Sequence, residues 1–224
     1  MSGLQTLFRN DFPDQQQLLL KLLGDVEALY RGEWQQWQRC QVAYHNINHI
    51  HAVTMVAMQI YAGECERYQR AVRTDQIKVL AAAALFHDCG YLKAVGDDSK
   101  GSGGQYTFEH VERSQRLVWD YLKTQQGWTQ SERRAVVAAI GKTKIVNVDE
   151  QQHLAEPVFA DLGDMLASAD LLAQVADENY LDRLPLLYIL SATGFCLGCK
   201  NLEGARTLCS AILVSNRVHV CSSC

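Results

Sequence analysis

The stretch Val79-Leu-Ala-Ala-Ala-Ala-Leu-Phe-His-Asp-Cys-Gly90 decides the fold. Alanine is the strongest helix former and leucine is close behind it. The run therefore predicts a helix, and its small side chains let neighbouring helices approach closely. Nothing on its surface is polar until His87 and Asp88. Such a helix is buried all round, and a polar pair at its end needs a partner there. Taken alone, the pair reads two ways. It is a hydrogen-bonded couple at a helix end, or it is half of a site for a divalent metal, since imidazole and carboxylate both ligate such ions. Gly90 stands where a left-handed residue would close the helix.

Upstream, Thr74 is placed to cap this helix, and residues 64–73 form a polar connection. Before that, Asn46 is a plausible N-cap for a helix reaching about residue 62. On it His49, Val53, Val56 and Ile60 share an inward face. His49 is then either a hydrogen-bonded core histidine or a ligand. His51 projects elsewhere, and His45, just before the helix, can lean over whatever His49 binds. Further back, residues 15–30 carry Leu18, Leu19, Leu22, Leu23, Val26 and Leu29 at helical spacing. Residues 33–41 are expected to continue as helix, with Trp34 and Trp37 on one face.

Downstream, residues 97–104 are rich in glycine and lack apolar side chains, which predicts a surface loop. A helix is expected over 107–125, with His110 and Ser114 four apart on one face. Thr129-Gln-Ser-Glu132 is a capping box, and it opens a helix through Val136, Val137 and Ile140. Residues 145–148 are the only strand-like fragment. A further helix over 159–176 carries Asp170 at the edge of its apolar side, with Asp164 and Asp177 more solvated. Helical pattern continues over 178–190. Three prolines in 224 residues and the scarcity of alternating apolar segments make the chain all-α.

Composition narrows the function classes. Hydrophobic residues make up 48% and charged residues 21%, ordinary for a globular protein with a substantial core. A net charge of −4 without a basic run gives no electrostatic support for binding a nucleic-acid duplex. No apolar run is long enough to span a bilayer, and the first ten residues lack the apolar core of a secretion signal. The expected location is the cytoplasm, where cysteines stay reduced or bind metal. A homodimer stays open as the assembly.

The domain reading is a helical domain over 1–190 and a cysteine-rich tail over 191–224. Five of the eight cysteines lie in the tail. Cys196 and Cys199 form one pair, Cys221 and Cys224 another, a spacing that suits a structural zinc site. Cys209 and His219 are spare donors. Unliganded cysteines, or a C-terminus grafted by a changed reading frame, are the competing readings.

In chain order the sequence offers His49, then His87-Asp88, then Asp170, each on a predicted helix with an apolar face. The motifs Tyr44-His-Asn-x-x-His49, Ala-Leu-Phe-His87-Asp88 and Ser168-Ala-Asp170-Leu resemble those of the HD-domain superfamily of metal-dependent phosphohydrolases. The first motif, with Ile140-x-x-Thr143, is also similar to that of cyclic-nucleotide phosphodiesterases, a branch of the same superfamily. The resemblance spans roughly residues 20 to 180 and implies an HD-domain helical bundle. It implies that His49, His87, Asp88 and Asp170 hold a divalent ion such as manganese, magnesium, iron, cobalt or nickel, with Asp88 the bridge if a second ion binds.

By the same resemblance, His45 protonates the leaving oxygen, and His110 falls where some members place a further ligand. The implied substrate is a small phosphoester, most naturally a nucleotide, hydrolysed by a metal-activated water. Two departures are visible. Tyr91 stands where many members have lysine, and Lys142, Thr143 and Lys144 occupy the place of an adjacent histidine pair. Lys93, Lys142 and Lys144 are candidate phosphate contacts. The rival expectations are a regulatory domain that binds metal and nucleotide without turnover, and an interaction module built on the tail.

Overall fold

The structure, a computed structural model, describes residues 3–144 and 156–176. Among these residues there are seven α-helices and no strand. They are α1 (Gly3–Asp11), α2 (Gln16–Arg31), α3 (Ile47–Arg67), α4 (Thr74–Phe86), α5 (His110–Thr124), α6 (Gln130–Gly141) and α7 (Leu162–Val175). Short 3-10 turns span Cys89–Tyr91, Gly104–Tyr106 and Pro157–Phe159. No helix among the described residues is long and apolar enough to cross a membrane.

Helix α4 is the hub. It packs on α2, α3, α6 and α7, and every residue from Ile77 to Phe86 is buried. The alanines Ala81, Ala82, Ala83 and Ala84 have no measurable exposure, so four neighbours can close on a thin axis. Leu19, Leu22, Leu23, Val26 and Leu29 of α2 are buried around it, as the leucine spacing predicts. Each such side chain contributes about 1.5–3 kcal/mol through water exclusion. Helix α1, which periodicity alone did not mark, adds Leu4, Leu7 and Phe8 against α2 and α3.

Asn46 caps α3 by accepting from Asn48 N at 2.9 Å. Thr129 and Glu132 form the expected capping box of α6. Four readings are corrected. Thr74 is not a cap: it is the first residue of α4, and its Oγ1 accepts from Gln15 Nε2 at 3.0 Å. Helix α3 runs to Arg67, through the start of the stretch expected to connect helices. Residues 33–41 are not helical. Gly32 ends α2 with a left-handed φ of 77°, and the chain beyond it runs beside the backbone that follows Tyr91. Trp37 bridges Ala94, while Gln38 N donates to Lys93 O at 2.8 Å and Val95 N to Gln36 O at 2.9 Å. Those amide bonds require extended backbone, so they override the helical spacing of Trp34 and Trp37.

Gly90 is the fourth correction. Its φ is not positive, and α4 closes at Phe86 with His87 right-handed. The glycine serves close approach instead: a Cβ there would meet the carbonyl oxygen of His110 at 1.9 Å. The expected strand-like fragment at 145–148, the helix over 178–190, Asp177, the domain boundary at 190 and the candidate zinc donors Cys196, Cys199, Cys209, His219, Cys221 and Cys224 lie outside the described residues.

One charge pair is buried within the bundle. Lys78 Nζ of α4 donates to both Glu132 oxygens, at 2.8 and 2.9 Å, and also to the carbonyl of Gly127. It sits 4.3 Å from the centre of the Trp128 ring. Because Glu132 also closes the capping box, its loss would strand a buried ammonium and uncap α6. Glu132→Ala should therefore lower unfolding stability by about 3–5 kcal/mol, read from urea denaturation. Glu132→Gln, which can still accept from the cap, should lose less.

Candidate metal centre

The polar pair at the end of α4 does find partners. The Asn46 cap fixes the start of α3, which places His49 in its first turn against the hub helix. Asp170 projects from the middle of α7 beside buried Ala169. His45 precedes α3, and His110 is the first residue of α5. These elements bring five ring or carboxylate groups around Asp88.

His49 Nε2 lies 3.4 Å from Asp88 Oδ2 and 3.2 Å from Asp170 Oδ1. His87 Nε2 lies 3.2 Å from Asp88 Oδ2 and 3.8 Å from Asp170 Oδ1. His45 Nδ1 donates to Asp88 Oδ2 at 2.7 Å. His110 Nε2 stands 3.7 Å from Asp88 Oδ1. Donor atoms that share one ion at about 2.1 Å stand about 3.0–4.2 Å apart; the separations of His49 and His87 from Asp88 and Asp170 fall in that range, whereas the 2.7 Å His45–Asp88 contact is a hydrogen bond.

The ring nitrogens are committed in a telling way. His87 Nδ1 donates to the carbonyl of Ala84 at 2.8 Å, and His110 Nδ1 to the carbonyl of Thr107 at 2.7 Å. A carbonyl only accepts, so each ring carries its proton on Nδ1 when neutral and keeps a lone pair on Nε2. Fixing one nitrogen in this way orients the other toward a metal. The Nε2 atoms of His49 and His87 are buried without a hydrogen-bond partner. Buried nitrogens without a well-aligned hydrogen bond are costly, and here they belong to a cage of two overlapping groups that could hold a cation, His45 with His49 and Asp88, and His49 with His87 and Asp170.

Without an ion, the two carboxylates favour protons on the facing imidazoles, for which a bound cation would have to compete. Burial opposes a charge on His49, but Asp170 and Asp88 outweigh it and push the imidazole up to about 10. Burial likewise opposes His87, and Asp88 raises it. Burial would raise Asp88, but His87 and His45 hold it well below the usual carboxylate range. Asp170 is lowered against its own burial by His49 and His87. His110 is lowered by its burial, which favours the neutral, ligating ring.

The candidate phosphate contacts lie elsewhere. Lys93 Nζ donates to the carbonyls of Ser99 at 2.5 Å and Gly101 at 3.5 Å, which ties down the glycine-rich loop. Lys142 pairs with Asp164 at 3.1 Å, and Lys144 pairs with Glu112. His51 pairs with Glu27 at 3.1 Å, outside the cage. Sequence reasoning missed the orienting carbonyls of Ala84 and Thr107. Their only trace is that each lies three positions before its histidine. It also missed the stacking of Tyr91, which carries no signature in the sequence. No family model, curated protein or solved structure matches the chain.

The raised His49 has a measurable sign. Its contribution to the stability of chelator-treated protein is full below about 6.5, declines as pH rises, and is gone above about 10. The depressed Asp88 and Asp170 contribute above about 3.8 and lose that contribution as pH falls. Thermal unfolding of chelated protein should therefore show a midpoint that falls between pH 6.5 and 10, and His49→Gln should flatten that slope.

Proposed function

We propose that this chain is a metal-dependent phosphohydrolase of the HD-domain type, acting on a small phosphomonoester or phosphodiester, with a nucleotide the favoured substrate. The observation that carries the reading is the convergence of the buried Nε2 atoms of His49 and His87, within 3.2–3.8 Å, on the carboxylates of Asp88 and Asp170. A bundle that needed only stability would fill that space with apolar side chains, since a buried charged cluster adds little to stability.

His49, His87, Asp88 and Asp170 would hold the ion. When bound, a divalent ion supplies a Lewis acid at the phosphoryl group and lowers the pKa of nearby water. The remaining roles belong to the chain. Among the described residues the cage opens on one side: the side chains of Asp170, His110 and His45 are 27%, 19% and 16% exposed, against 4% or less for His49, His87 and Asp88. A phosphoester approaching from there would face His45, His110 and Asp170. With Nδ1 anchored on Asp88, the Nε2 of His45 is the atom that can pass a proton. As water attacks phosphorus and the bond to the leaving oxygen breaks, that oxygen takes the His45 proton. The proton released by the water restores the imidazolium. Asp88 steadies this charge through the same 2.7 Å bond that orients the ring.

A screen of p-nitrophenyl phosphate, its bis-ester and mononucleotides with manganese, magnesium, cobalt, nickel or ferrous iron tests the proposal. Asp88→Ala should lose both bound ion and turnover, the ion measured by elemental analysis. His45→Asn should keep the ion while kcat falls by about 10²–10⁴. Full ion content in Asp88→Ala would refute the ligand set. Ion-loaded wild type that hydrolyses none of these esters would favour a regulatory domain.

A further inference from the structure

Tyr91 is buried, and its ring does more than fill space. Its centroid lies 4.4 Å from that of His45, with the planes 16° apart. It lies 4.4 Å from that of His110, with the planes 17° apart. The two imidazoles come from different elements, a segment without regular structure and the start of α5. Both face the same carboxylate, His45 on Asp88 Oδ2 and His110 on Asp88 Oδ1.

Tyr91 is itself held rigidly. It ends the Cys89–Tyr91 turn, whose Gly90 N donates to Ser114 Oγ at 2.8 Å. Arg113 spans the same turn: Nε donates to Gly90 O at 2.6 Å and a terminal nitrogen to Leu92 O at 2.7 Å. The absent side chain of Gly90 lets the turn lie directly on the His110 carbonyl. The phenol is thus fixed on the helix that bears His110. By contrast, His45 has no helix of its own to hold it. Its ring is fixed by the Asp88 bond, by edge contacts to Tyr44 and His49, and by the face of Tyr91.

We infer that Tyr91 is a positioning residue whose aromatic face sets the planes of His45 and His110, so that both present a ring nitrogen to Asp88 in a fixed orientation. The inference rests on the proposed role of His45 at the leaving oxygen, but the stack can be read without any turnover. Offset stacking between rings restricts rotation about the ring bond. A donor misplaced by about 1 Å can lose about 100-fold in rate.

The test uses Tyr91→Phe, which keeps the ring face, and Tyr91→Leu, which removes it. In ¹⁵N-histidine spectra of wild type, recorded with magnesium and again after chelation, His45 and His110 should each give one sharp set of ring-nitrogen signals. Tyr91→Phe should preserve these signals. Tyr91→Leu should average them while leaving the His87 signals and the ion content unchanged. Where an ester is turned over, Tyr91→Leu should lose about 100-fold in kcat with KM within about twofold, and Tyr91→Phe should recover most of the rate. Averaged His45 and His110 signals already in wild type would overturn the inference, with no variant needed. So would a Tyr91→Leu protein with wild-type spectra, or a Tyr91→Phe protein as impaired as Tyr91→Leu. Wild type inactive on every ester would count against the hydrolase reading alone, because the spectra still decide the role of the ring.

Discussion

The structure turns on a conflict between burial and charge at the C-terminal end of α4. A helix apolar on every side must sit at the centre of the bundle, and its covalent continuation is His87-Asp88. The carboxylate of Asp88 is carried into the interior by the same chain that makes the core. It stays ionised there because imidazoles approach it from three other elements. Each of those elements is then fixed in turn: α3 by its Asn46 cap, the turn after Asp88 by Ser114 and Arg113, and α5 by contact with Gly90. A second carboxylate, Asp170, makes the assembly net acceptor-rich. The cluster differs in this from the ion pair of Lys78 and Glu132, where one donor chelates one acceptor.

Much of this was legible in the sequence because it depends on local rules. Leucine spacing located α2, alanine content located α4, and cap chemistry located the starts of α3 and α6. The four candidate ligands His49, His87, Asp88 and Asp170 stand together in the structure, as polar residues on otherwise apolar faces should when those faces meet in one core. What escaped the sequence was settled by pairing between distant segments. Trp34 and Trp37 have helical spacing, but the amides around them bond to residues 93–95. Gly90 looked like a conformational necessity and is a steric one, since its neighbour is a carbonyl twenty positions away. Lys93, Lys142 and Lys144 were plausible for a phosphate by charge alone. Their nearest acceptors turned out to be loop carbonyls, Asp164 and Glu112.

The two buried charge networks serve the bundle differently. Lys78 and Glu132 are complete: bidentate contact, a carbonyl, an aromatic face and a helix cap leave little unsatisfied. The network around Asp88 is left open at two nitrogens, and its outward side is lined by His45, His110 and Asp170. Incompleteness inside a well-packed interior is the observation on which the proposed site rests.

His49 and Asp170 belong to helices far apart in sequence, yet α3 and α7 lie side by side. The site therefore depends on a long-range contact between these two helices. An ion bound there would, by mass action, hold α3 and α7 to one another.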